Sequence, residues 1–272
     1  MAKGTRKLNE LVSKLDVIVE VRDSRAPAST SSPLIKSLAK IKPVIHVLSR
    51  KDLADNEGLN LWLSKLKHTY SADLRKREGL SNIKRAILNF KPAHREVRVA
   101  VIGIPNVGKS LLLNSLISKS NAQVGNIPGI TKSVSWYKND DSKMLIVDSP
   151  GILDPHAEEG AHLILSWLGC AKAEIVGGFE NAALKLIEFL CAKNFHAFIP
   201  VEFENETPVE ILQLIGKKYG CLISGGRIDF ELAGRKFIEA FSSGRLGKIC
   251  LELPNEERVI DFNKNVGAAN IV

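Results

Sequence analysis

The chain has 272 residues, enough for one large domain or two of ordinary size. Its composition, 44% apolar and 25% charged, is that of a globular protein, and no apolar run nears the roughly 20 residues a membrane-spanning helix needs. The net charge of +8 is uneven, at +11 over residues 1–100, −7 over 151–210 and +4 over 211–250. Two basic zones favour a polyanion partner such as RNA, with a solvated basic face as the other reading of the same charges. Cys170, Cys191, Cys221 and Cys250 are widely spaced with no Cys-x-x-Cys pair, which argues for buried thiols rather than zinc or disulfides. The first fifteen residues lack the apolar core of a secretory signal, and Glu10 and Asp16 suit a transit peptide poorly, so a cytoplasmic location is expected.

In chain order, residues 2–15 read as a basic amphipathic helix with Leu8, Leu11, Val12 and Leu15 on one side. Strands follow at 16–21, 44–48 and 69–72, with helices at 34–41, 58–67 and 81–90. A fourth strand leads into Gly103, and residues 111–117 continue as a helical run. Residues 121–133 read as a loop rich in Gly, Pro and Asn, and strands at 134–137 and 144–147 complete a set of six. Strands alternating with helices imply a largely parallel sheet covered on both faces, with a ligand beyond the carboxyl ends of its strands. The expected domains are 1–157, a mainly helical 158–258, and a loose tail at 259–272.

Residues 103–110 spell Gly-Ile-Pro-Asn-Val-Gly-Lys-Ser, the Gly-x-x-x-x-Gly-Lys-Ser pattern between a strand and a helix. Gly103 and Gly108 permit backbone shapes that a Cβ would block. The N–H groups of the loop Pro105-Asn106-Val107-Gly108 and the helix start would then face an anion. (Pro105 shapes the loop without donating.) Lys109 reaches the β- and γ-phosphates of a nucleotide, and the Ser110 hydroxyl can ligate Mg2+. Asp148, closing an apolar strand, can hold Mg2+ through water. The Gly151 amide is free for a γ-phosphate, and Thr131 suits a hydroxyl that reaches the metal only when that phosphate is present. Base choice falls to Ser49-Arg50-Lys51-Asp52. A carboxylate at Asp52 accepts from the paired N1 and N2 donors of guanine, whereas adenine offers an acceptor at N1. The Arg50 stem can cover one face of the base, and Ser71-Ala72 can offer an amide to the guanine carbonyl.

These motifs, in this order, resemble the circularly permuted GTPases, and within them the ribosome biogenesis GTPase A (YlqF-like) family. The base motifs at 49–52 and 71–72 precede the phosphate loop at 103–110, Thr131 and Asp148-Ser149-Pro150-Gly151, the reverse of ordinary small GTPases. Arg22-Asp23-Ser24-Arg25-Ala26-Pro27, Pro128-Gly129-Ile130-Thr131, Gly225-Gly226-Arg227-Ile228-Asp229 and Gly244-Arg245-Leu246-Gly247-Lys248 extend the likeness over nearly the whole chain. The resemblance implies an α/β, P-loop NTPase three-layer sandwich of circularly permuted topology with a helical C-terminal domain. It also implies a GTP-hydrolysing switch in assembly of the large (50S) ribosomal subunit, stimulated by that subunit. Its partners would be GTP or GDP and ribosomal RNA, with no membrane, and the protein would act as a monomer. Arg235, Lys236, Arg245 and Lys248 are the candidate RNA contacts, against a reading as ordinary solvated helix surface.

Three departures matter. The family's Asn-Lys-x-Asp appears as Ser49-Arg50-Lys51-Asp52, and a serine is expected to be too short for the usual bridge to the phosphate loop. Ile152 stands where Ras-like proteins carry the water-orienting glutamine, as the family does, so intrinsic hydrolysis is expected to be slow and no catalytic residue is assigned. Family members usually carry an aromatic-Pro-Gly-His run before the Met-Ala-Lys that opens this chain, so no residue here takes that histidine's role. Asn106 matches the position that ligates K+ in related potassium-dependent GTPases. Two other classes compete with the switch: a nucleotide-holding RNA-binding module with negligible hydrolysis, and an ATP-dependent P-loop kinase, for which Asp52 has no role.

Overall fold

A computed structural model describes residues 12–117, 123–124, 136–139, 143–148 and 159–254. They form two compact units, one of residues up to Asp154 together with Cys250–Pro254, the other running from Pro155 to Ile249.

The first unit is built on a seven-stranded sheet of order β3-β2-β1-β4-β7-β6-β5. The strands are β1 (Val17–Asp23), β2 (Val44–Ser49), β3 (Thr69–Ala72), β4 (Val97–Ile102), β5 (Gln123–Val124), β6 (Trp136–Asn139) and β7 (Met144–Asp148). The first five in the spatial order are parallel, and β6 and β5 are antiparallel. β5 lies in the stretch read from sequence as loop, and two residues are too short to show an alternation. All seven residues of β1 are buried, which requires cover on both faces of the sheet. The chain supplies it with β-branched residues at Val17, Val19 and Val21 on one face. The other face carries Ile18, then Glu20 and Arg22, which are partnered: Glu20 accepts from Arg22 Nε and the Ser32 amide at 2.7 Å and meets His46 Nδ1 at 2.8 Å. The helices are α1 (Ile35–Leu38), α2 (Asn56–Lys65), α3 (Leu80–Leu88) and α4 (Lys109–Leu116). The residues expected to start the first helix lie mostly outside the described residues.

The last segment of this unit is a strap. Cys250 N donates to Asp55 Oδ2 at 2.6 Å, and Leu251 N to Arg25 O at 2.7 Å. The Glu252 carboxylate accepts from the amides of Ala28 and Ser29 and from the Ser29 hydroxyl, and its carbonyl from Trp62 Nε1 at 2.8 Å. Cys250 packs with Leu48, Ala54, Leu59 and Trp62. Burial and the nearby Asp55 carboxylate raise its thiol pKa far above the ordinary value. The sequence reading put these residues in the helical domain.

The second unit holds α5 (Glu159–Trp167), α6 (Gly178–Ala192), α7 (Pro208–Lys218) and α8 (Phe230–Ser242). Thr207 and Glu210 form a reciprocal cap at the start of α7, with Pro208 as its first residue. Glu231 on α8 accepts from the amides of Phe179 and Glu180 at 2.9 Å, capping α6. Gly234 lets α8 approach the Phe179 carbonyl where a Cβ would collide. Among the described residues no helix is long and apolar enough to cross a membrane.

Candidate nucleotide site

Strand register sets the site. Asp23 of β1 lies opposite Ser49 of β2, and Ser49 opposite Ala72 of β3, so three carboxyl ends align. β4 ends at Ile102, level with Glu20 of β1, and the chain turns there through Gly103. Gly103 has φ +154°, and a Cβ on it would sit 2.6 Å from the Val21 carbonyl. Residues 103–108 lead into α4, whose first two residues are Lys109 and Ser110. Gly108 has φ +99° and Asn106 φ 61°, so the loop makes two left-handed turns. A loop shaped this way in front of a helix N-terminus directs backbone amides outward, an anion-binding arrangement. Asn106 and Ser110 are exposed, and Lys109 Nζ donates to Ile104 O at 3.2 Å.

The base motif is fastened to this loop. Ser49 Oγ lies 2.5 Å from Val107 O and 3.0 Å from Arg22 O, with the proton donated to one carbonyl at a time. Serine therefore does bridge to the phosphate loop, correcting the expectation from its length. β2 and the loop approach closely enough that a Cβ on Gly108 would touch Ser49 Oγ at 3.5 Å. Arg50, at φ 55°, sends Nη2 to Asn106 O at 2.7 Å and Nη1 to Asp23 Oδ2 at 3.1 Å. Lys51 and Asp52 fall in a short 3-10 turn, Lys51–Leu53, and Lys51 pairs with Glu78 at 2.8 Å. Ser71 and Ala72 end β3, beside Ser49.

Sequence reasoning missed Asp23. It is fully buried and accepts from Arg25 Nε at 3.0 Å and Nη2 at 2.9 Å as well as from Arg50. Burial opposes its ionisation, but the Arg25 and Arg50 guanidiniums outweigh that and lower its pKa. The signal was present as two arginines flanking an aspartate, but not the loop they serve.

Asp148 closes β7, opposite Val101 of β4. Thr131, Gly151 and Ile152 lie outside the described residues. Of the candidate RNA contacts, Arg235 stacks over Phe179 at 5.2 Å and Lys236 Nζ donates to Tyr219 O at 2.7 Å. Arg245 and Lys248 are exposed.

Comparison with known proteins places this arrangement. Residues 98–188 match the family model described as 50S ribosome-binding GTPase. The chain is 32% identical to ribosome biogenesis GTPase A of Bacillus cereus, over 97% of this chain and 96% of that protein.

The chain belongs to the ribosome biogenesis GTPase A family.

Its circularly permuted sheet, with Ser49-Arg50-Lys51-Asp52 ahead of the loop at 103–110, is consistent with that family. The GNP-bound YlqF of Thermotoga maritima superposes with a TM-score of 0.71 at 25% identity, covering 94% of this chain and 100% of that one. A GTP-binding protein of Methanocaldococcus jannaschii is 28% identical over 94% of this chain and 70% of its own length.

Proposed function

We propose that this chain binds GTP between the loops at 49–52 and 103–110, hydrolyses it, and acts as a switch in cytoplasmic assembly of the large ribosomal subunit. One observation carries the nucleotide part. Ser49–Val107 and Arg50–Asn106 join two motifs more than fifty residues apart at the carboxyl edge of the sheet. Asp52 and Lys109 are thereby assigned to opposite ends of one nucleotide, Asp52 on guanine and Lys109 on the phosphates. Ser71 and Ala72 border the base, and the amides of Asn106, Val107 and Gly108 face the phosphates. Thr131 and Gly151 are assigned to the γ-phosphate. The description of the Thermotoga maritima neighbour with GNP and with GDP supports this reading.

The donor set fits Mg2+. Ser110 offers an exposed hydroxyl at the start of α4 and Asp148 a carboxylate at a strand end, both hard oxygen ligands, with Thr131 as a third. The metal, when bound, neutralises charge on the phosphate oxygens. Asn106, exposed and in a left-handed conformation, is the proposed K+ ligand, and replacing K+ by Na+ should lower turnover. With Ile152 in the glutamine position, intrinsic turnover should be slow and rise when large subunits are added.

The test is multiple-turnover phosphate release with and without large subunits, alongside GTP and ATP competition for labelled GDP. Stimulated release with GTP preference supports the switch. Tight GTP binding without turnover in either condition favours a nucleotide-holding module, and equal ATP and GTP affinity overturns the guanine assignment.

A further inference from the structure

The loop leaving β3 makes a basic turn beside the base-reading motif, and the functional assignment above gives it no role. Asp73 is 3% exposed, and its carboxylate accepts from the amides of Arg75 at 3.0 Å and Lys76 at 3.1 Å. Glu78 N closes the turn on Asp73 O at 2.9 Å. Arg77 adopts φ 60°, and Gly79 at φ +82° lies against the Ser71 carbonyl, where a Cβ would collide. The backbone is thus fixed by a buried side chain and a glycine. On it stand Arg75, Lys76 and Arg77, three consecutive exposed cations.

None of the three makes an ion pair among the described residues. The exposed acid of the same turn, Glu78, is committed to Lys51. Three like charges on consecutive residues repel, and the fixed turn keeps their points of attachment together. Leu74 and Leu80, the apolar residues at either end, are buried, so the tip offers no apolar anchor of the kind a protein interface centres on. A rigid, purely cationic knuckle suits closely spaced phosphates read without regard to base.

We propose that Arg75, Lys76 and Arg77 form a docking knuckle for the sugar-phosphate backbone of RNA. The proposal rests on the assignment to ribosome assembly for its partner. It differs from it in naming a surface on the GTPase unit, next to the base motif, rather than the helical unit.

The test measures binding of the full chain to an oligouridylate and to large ribosomal subunits across a salt series. The variants are R75Q/K76Q/R77Q, the single K76Q, and a charge-matched control, K36Q/K40Q/K42Q. Each phosphate neutralised by a cation adds about 0.7 to the slope of log affinity against log salt for single strands. The triple variant should therefore flatten the slope by about 2, and K76Q by about 0.7. The control should keep the wild-type slope, and all three should keep wild-type GDP affinity. Equal slopes for the knuckle and control variants overturn the proposal. So does a knuckle variant that binds RNA normally but loses affinity for polyglutamate, which assigns the turn to an acidic protein. A wild-type chain that binds neither RNA probe overturns the ribosomal reading as well.

Discussion

Replacing Asp23 by Asn tests whether the buried network organises the nucleotide site. The carboxylate is fully buried and holds Arg25, whose side chain is 1% exposed, through two hydrogen bonds. It also holds Arg50, whose side chain is 29% exposed. The two arginines respond differently to loss of the charge. Arg50 can turn its guanidinium to water, a loss of about 1 kcal/mol or less. Arg25 cannot, and breaking a buried pair by removing one partner costs about 3–5 kcal/mol. Loss of the buried Asp23–Arg25 pair dominates, so Asp23→Asn should lower unfolding stability by about 3–5 kcal/mol, a large share of the roughly 5–15 kcal/mol typical of a domain. The second effect is local. Arg50 loses its anchor on the way to Asn106 O, and GDP should bind several-fold more weakly. Urea unfolding followed by circular dichroism reads the first effect, and a fluorescent GDP titration reads the second. The double variant D23N/R25M removes both buried charges of the pair and should recover much of the stability while leaving GDP binding weak. A D23N protein as stable as the parent, or a double variant no better than D23N alone, refutes the reasoning.

Ser49→Ala leaves the Val107 and Arg22 carbonyls without that donor, and should destabilise by about 1–3 kcal/mol with weaker GDP binding, read by the same two assays. Gly103→Ala places a methyl 2.6 Å from the Val21 carbonyl at φ +154°, so GDP affinity should fall by about tenfold or more, an effect of about 1.4 kcal/mol or greater that calorimetry would register. Burial opposes ionisation of Asp16, Glu20 and Asp23, but it is outweighed by Arg95 at Asp16, by His46 and Arg22 at Glu20, and by Arg25 at Asp23, leaving all three pKa values lowered. Folded values below the unfolded ones, which are about 3.9 for Asp and 4.3 for Glu, mean their stabilisation is present above that range and lost as pH falls through the folded values. Urea midpoints should accordingly drop from pH 7 to pH 3, and a midpoint that rises on acidification would contradict the assignment.

The sheet and the phosphate loop were legible because both are local. β-branched runs mark β1, β2, β4 and β7, and Gly103, Gly108 and Lys109 sit in a fixed pattern. What escaped the sequence depends on contacts between distant residues. The reach of a side chain does not show whether its partner comes to meet it, and at Ser49 the Val107 carbonyl does. Asp23 reads as one charge in a basic segment until the fold brings Arg50, itself bonded to Asn106 O, against it. The polar face of β1 likewise breaks the apolar pattern expected of a central strand, and it takes Arg22, Ser31, the Ser32 amide and His46 of β2 to show that Glu20 is satisfied. Cys250–Pro254 gave no signal of its own, since so short a run without a periodic pattern goes with the helical stretch before it.

That strap changes how the protein can be dissected. The chain leaves the first unit after Asp154 and re-enters it at Cys250, so the first unit is built from two separate stretches of the chain. A single cut before Pro155 would discard the donors and acceptors that satisfy Asp55, Arg25 O and Trp62 Nε1, and would bare the indole and Leu59. An isolated GTPase unit made for crystallography should therefore retain Cys250–Pro254.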